Sequence, residues 1–213
     1  MLYDTFMDQF ERFASVWRRL TGVDGSPAVF DALLTAYSEP QRVYHSTAHL
    51  RDCLKQFDTV RHLAKDDAAL EVAIWFHDAV YDPRGADNEE RSAEWAEREL
   101  SACNAPSGAI AQVRKLILAT KHQVPPDDRD TELLLDIDLS ILGRDPAVFD
   151  AYDAAIREEY QFVPEEQFRE ARARILSGFL NREFIYHTTD FRRLYEQQAR
   201  ENLRRIIAVL RRQ

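Results

Sequence analysis

Ile74-Trp75-Phe76-His77-Asp78-Ala79-Val80-Tyr81-Asp82 sets an imidazole and a carboxylate side by side at the end of an apolar run. Leu70, Ala73, Ile74 and Phe76 recur at helical spacing, which predicts a helix from about Asp66 to Val80 ending in this pair. Burying an ionised Asp and a His among large apolar side chains costs several kcal/mol, of the order of ~2–7 per polar group, unless each is paired, hydrogen-bonded or bound to a cation. A divalent metal meets that need. So does a plain His-Asp pair at a helix C-terminus, with His near the negative dipole end and Asp opening a turn.

Working outward, Tyr81-Asp82-Pro83-Arg84-Gly85-Ala86-Asp87-Asn88 carries turn formers without periodicity and predicts a loop beside the pair. Asn88 or Asp87 caps the next helix, about Glu89 to Leu100, and another runs from about Ser107 to Lys121 with His122 at its end. Upstream, Leu2, Phe6, Phe10, Phe13, Val16, Trp17 and Leu20 write one apolar stripe that stops near Gly22. Ser26-Pro27 opens a second helix ending before Pro40, and a third passes through Leu50, Leu54 and Phe57 to about His62. Downstream, Leu133-Leu134-Leu135 leads into Asp136-Ile137-Asp138, and helices follow to about Phe162, from Pro164 to about Asn181, and from about Thr189 to Arg211. No segment alternates with a period of two, so the fold class is all α.

The chain has 213 residues, long enough to bury a core without disulfides, and reads as one domain over 1–213: a metal-site core over about 42–143, with C-terminal helices over about 145–212 packed on it. A formal charge of −9 argues against a nucleic acid polymer or an acidic membrane as partner, while leaving room for a small phosphorylated substrate beside a metal. Cys53 and Cys103 form no CxxC pattern and read as free, small buried thiols of a reducing compartment. With no basic start and apolar centre in Met1 to Leu20, and no run of ~18 apolar residues, the location expected is cytoplasmic. The arginines of the last helix read as a solvated face, with a homodimer contact as the alternative, while Phe191, Leu194, Leu203, Ile206, Ile207 and Leu210 pack inward.

Three separated segments supply metal-binding side chains: His45 and His49, then His77-Asp78, then Asp136 and Asp138. On a helix the first two would share one face. His49, His77, Asp78 and Asp138 together give two imidazoles and two carboxylates, a set for Mn²⁺, Fe²⁺, Zn²⁺, Ni²⁺ or Mg²⁺. Water on such an ion ionises near neutral pH and can attack phosphorus. Arg42, His45, Asp82, Asn88 and Glu89 remain to contact substrate or brace the ligands, Arg42 either by touching phosphate or by pairing with one of the acids.

The strings Arg42-x-Tyr-His45-x-x-x-His49-Leu, Trp75-Phe-His77-Asp78-Ala-Val-Tyr-Asp82, Asn88-Glu89-Glu-x-Ser-Ala and Asp136-x-Asp138-Leu-Ser-Ile-Leu-Gly143 together resemble the HD-domain superfamily of metal-dependent phosphohydrolases, and within it an uncharacterised bacterial branch of predicted hydrolases. The resemblance implies an HD-type helical bundle and a metal held by one upstream His, the His-Asp pair and a downstream Asp. The bulky Leu139 favours Asp138 as that last ligand, leaving Asp136 to fix a ligand by hydrogen bond. Tyr44-His45-x-x-x-His49 is also similar to a string of cyclic nucleotide phosphodiesterases, which implies His49 as ligand and His45 as general acid; the swapped assignment is the alternative. Ser46 and Tyr81 depart from that string, against a second metal of the phosphodiesterase kind. His122 is either an extra ligand or a helix cap. Besides the phosphohydrolase, two other functions stay open: a di-iron oxygenase on the same scaffold, for which His122 must bind metal, and a non-catalytic metal- or nucleotide-binding regulatory domain.

Overall fold

A computed structural model describes residues 2–212, with side chains from residue 8 onward. Ten α-helices and no strand occur among the described residues: α1 (Leu2–Thr21), α2 (Pro27–Tyr37), α3 (Thr47–Val60), α4 (Asp67–Phe76), α5 (Asn88–Ala102), α6 (Ser107–Ala119), α7 (Arg129–Asp138), α8 (Pro146–Glu159), α9 (Glu165–Leu180) and α10 (Thr189–Leu210). They group into two compact units, Met1–Leu134 and Leu135–Gln213, and α7 carries the chain from one into the other.

In the first unit, α4 is the hub. Every residue from Ala68 to Phe76 is buried, because α1, α3, α5 and α6 all pack on it. A helix surrounded on all sides must be apolar all round, as this one is except for Glu71. Glu71 is 1% exposed and is met by Arg12 and Arg61, each at 2.6 Å, so its charge enters the core already paired. The α1 stripe delivers Phe13 against Phe30 and Trp75 and Trp17 against Phe76, with ring centroids 5.5–6.2 Å apart. Each such buried side chain contributes roughly 1.5–3 kcal/mol. Leu2 and Phe6 of that stripe lie outside the residues whose side chains are described.

Local signals set the helix ends. Gly22, at φ +78°, takes the left-handed position that closes α1, and Ser26 caps α2 by accepting the Val29 N–H. Asp66 caps α4 through the Ala69 N–H, while the Asp130 carboxylate accepts the N–H groups of Lys65 and Asp66 at 2.7 and 2.9 Å. α4 stops at Phe76, four residues before the Val80 expected from the sequence, and α8 stops at Glu159, three before Phe162. α3 begins at Thr47 behind the cap Ser46, so His45 lies outside the helix and shares no helical face with His49.

In the second unit, α10 packs on α9 and on a 3₁₀ turn, Leu139–Gly143. Gly143 is required there: a Cβ would stand 2.5 Å from Cβ of Tyr195 and 2.7 Å from its carbonyl oxygen. Asn202 donates to the carbonyls of Leu142 and Arg144, fixing the same turn from α10. Phe191 and Leu203 face inward as their spacing predicts, whereas Leu194 is 57% exposed. The arginines are not simply a solvated face either. Arg200 donates to the carbonyls of Leu180, Arg182 and Glu183, and Arg192 to that of Tyr186, so both tie off chain that has no helical partners. No helix among the described residues is long and apolar enough to cross a membrane.

Candidate metal centre

Because α4 ends at Phe76, His77 and Asp78 sit in the turn beyond it, where main-chain groups need partners from elsewhere. The Asp78 N–H donates to the Tyr37 hydroxyl at 3.2 Å, and Val80 N–H to Ser92 Oγ at 3.0 Å. Arg42 supplies the carbonyls: Nη1 donates to Asp78 O at 2.5 Å and to His45 O at 3.3 Å, and Nη2 to Ala79 O at 2.9 Å. These contacts turn the His77 and Asp78 side chains toward His49, in the first turn of α3.

Three atoms converge there. His49 Nε2 lies 3.2 Å from His77 Nε2, and Asp78 Oδ2 lies 3.1 Å from His77 Nε2 and 3.4 Å from His49 Nε2. Two ligand atoms bonded to one cation at ~2.1 Å, at angles between octahedral and tetrahedral, stand about 3.0–3.4 Å apart. All three sides of the triangle have the separations that a shared cation imposes. The tautomer agrees: His77 Nδ1 is 2.8 Å from Ile74 O, and since a carbonyl only accepts, Nδ1 carries the proton and Nε2 presents its lone pair.

Burial works against the charge of Asp78. Its carboxyl is nevertheless held well below the usual carboxylate range by the adjacent imidazoles of His77 and His49 and by the neighbouring His45. Burial, followed by the charge of Asp78, pushes the Tyr37 hydroxyl well above its ordinary range, so it stays protonated. The centre therefore pairs an ionised carboxylate with imidazole nitrogens at a position 19% open to solvent on the Asp78 side.

Cys53, read from the sequence only as a small buried thiol, belongs to this cluster. His49, Cys53 and His77 each offer a donor atom within 4.8 Å of one another, a buried group able to hold a metal ion. The signal was the spacing, since Cys53 follows His49 by four residues on α3 and so shares its face. Cys53 Sγ stands 3.6 Å from His49 Nε2 and 3.7 Å from Nδ1. A sulfur sharing the Nε2 cation would lie about 3.6 Å from Nε2 but about 5 Å from Nδ1. Near-equal distances put it against the His49 ring and off the Nε2 lone-pair axis, where it braces the imidazole.

The other residues singled out from the sequence are placed as follows. His45, just before the α3 cap, stacks on Tyr81 with centroids 4.1 Å apart and lies 6.0 Å from the His49 ring. Arg42, expected to touch phosphate or pair with an acid, has its side chain 1% exposed; it bonds Glu39 at 3.0 Å and the three carbonyls, and points at no open position. Asp82 is exposed and closes its own loop, accepting the Arg84 N–H, while Asn88 bonds both its N–H and its carbonyl. Glu89 lies half-buried in the first turn of α5, where Glu90 is ion-paired to Lys121. His122 follows α6 in the left-handed region at φ 54°, and its N–H bonds Ala119 O. It is not a member of the donor group among the described residues.

In the second unit, Asp138 is the last residue of α7 and is half-buried. Asp136, expected to fix a ligand by hydrogen bond, accepts from His187 N–H at 2.7 Å, Thr188 N–H at 2.8 Å and Thr188 Oγ1 at 2.6 Å. Its carboxylate fixes the entry to α10, for which Thr188 is the cap. Comparison of the chain with protein-family models, with curated proteins and with solved structures gave no match.

Proposed function

We propose that this chain is a metal-dependent phosphohydrolase of the HD type acting on a small phosphoester, with His49, His77 and Asp78 holding the cation. The observation that carries the proposal is the triangle of His49 Nε2, His77 Nε2 and Asp78 Oδ2, whose 3.1, 3.2 and 3.4 Å sides match ligand spacings around one ion. A cation in this set would supply a nucleophile at neutral pH and offset charge on the phosphoryl oxygens.

The chain's own groups do the rest. His77 keeps its Nε2 lone pair because Ile74 O holds the Nδ1 proton, and Asp78 stays ionised beside it. His45, stacked on Tyr81 at the margin of the cluster, is the group in this reading that gives a proton to the leaving oxygen. Phosphate recognition falls to groups other than Arg42, since its donors are engaged with the main chain.

Metal analysis of the purified protein, followed by a screen of nucleoside phosphates and simple phosphoesters, tests the proposal, with Asp78→Ala as control. The expected result is cation-dependent release of phosphate that the substitution abolishes. Full turnover by Asp78→Ala, or no hydrolysis of any phosphoester by the metal-loaded protein, overturns it.

A further inference from the structure

Arg42 joins the two histidine-bearing segments through the main chain. Its planar guanidinium binds His45 O at 3.3 Å on one side and Asp78 O and Ala79 O, at 2.5 and 2.9 Å, on the other. Glu39 holds Nε at 3.0 Å, and the rings of Tyr37 and Tyr81 lie 5.3 and 5.6 Å from the guanidinium carbon, so the fork cannot swing. Tyr37 Oη accepts the N–H of Asp78, whose carbonyl Arg42 already holds. Both main-chain polar groups of one candidate ligand are thus fixed by two buried side chains, neither of which reaches the cation position.

We infer that Arg42 and Tyr37 form a positioning clamp that sets the distance between the His49 and His77-Asp78 halves of the centre, and thereby its metal affinity and ligand geometry. The inference rests on the proposal that these residues bind a divalent cation. Lysine cannot replace arginine here, because a single ammonium cannot serve carbonyls on two segments in the plane of one fork. Groups that orient metal ligands without touching the metal typically cost about 10–100-fold in affinity when removed.

The test is a Co²⁺ titration of the full chain, followed by its visible absorption, for wild type, Arg42→Lys and Tyr37→Phe. Arg157→Lys is the matched control: Arg157 also bonds two carbonyls and a carboxylate, those of Tyr160, Val163 and Glu165, within the second unit. The clamp predicts about 10–100-fold weaker binding and an altered cobalt spectrum for Arg42→Lys, a loss near the lower end of that range for Tyr37→Phe, and neither change for Arg157→Lys. If Arg42→Lys does not fold, Tyr37→Phe decides, since it removes one hydroxyl and keeps the packed ring. Wild-type affinity and spectrum in a folded Tyr37→Phe and Arg42→Lys overturn the clamp and leave the metal proposal standing. A wild-type chain that binds no Co²⁺ overturns the metal proposal itself.

Discussion

Asp78 and Asp136 are both acids at the C-terminal end of a helix, one in each unit, and their surroundings are opposite in kind. Asp136 is fully buried and receives two N–H groups and a hydroxyl at 2.6–2.8 Å, which satisfy a carboxylate with donors alone. Asp78 faces two imidazole nitrogens at 3.1 and 3.4 Å, one of which presents a lone pair. A carboxylate ringed by donors is finished as structure. One set against another acceptor calls for a shared positive charge, either a proton or a cation. Burial alone does not tell the two cases apart; the direction of the hydrogen bonds around them does.

The widest separation between the two sites should come from removing the acids themselves. Asp78→Ala is expected to weaken metal binding by more than the ~100-fold typical of residues that only orient ligands, while the circular dichroism of the metal-free chain is unchanged. Retention of metal by that variant would erase the distinction. For Asp136→Ala the loss should appear as stability, about 3 kcal/mol by urea denaturation, because buried N–H groups lose a charged acceptor. One metal per chain should still bind.

Loading the centre should stabilise the fold next most strongly. Free cation at ~100 times its Kd adds about 2.7 kcal/mol, worth about 5–10 °C in Tm for a chain of this size, reversed by chelator. Acidification sharpens the comparison further. Asp78 has a depressed pKa, so its contribution to stability is present above the unfolded value of ~3.9 and is lost only as pH falls through its lower folded value. Metal should leave while Asp78 is still ionised, as protons compete with the cation for the imidazole nitrogens, and equilibrium dialysis between pH 5 and 8 reads this directly. Metal loss confined to the carboxylate range would mean that the histidines are not ligands. The smallest effect belongs to Ser92→Ala, about 1 kcal/mol, since the Val80 N–H loses its acceptor and the Val80 carbonyl loses only a long donor at 3.4 Å.

The contrast also explains which features could be read from residues alone. Helix existence follows from stripes such as Phe10, Phe13 and Trp17, and starts follow from caps such as Ser26. The end of α4 did not, because Ala79 and Val80 extend the apolar pattern while their main chain is claimed by Arg42 and Ser92. The His77-Asp78 pair and His49 were legible because each is costly in an apolar setting. Their supports were not: the donors of Asp136 come from 51 and 52 residues away, and no local pattern reveals that Arg42 will bond carbonyls 36 and 37 positions on. Cys53 was legible in principle, one turn beyond His49, but a lone thiol on a buried face resembles any small apolar residue.

The central claim is tested most directly by an anomalous-difference map from crystals grown with Zn²⁺ or Mn²⁺. One strong peak should lie about 2.1 Å from His49 Nε2, His77 Nε2 and Asp78 Oδ2 together. A map with no peak among those three atoms, at a cation concentration that saturates other sites, would contradict it.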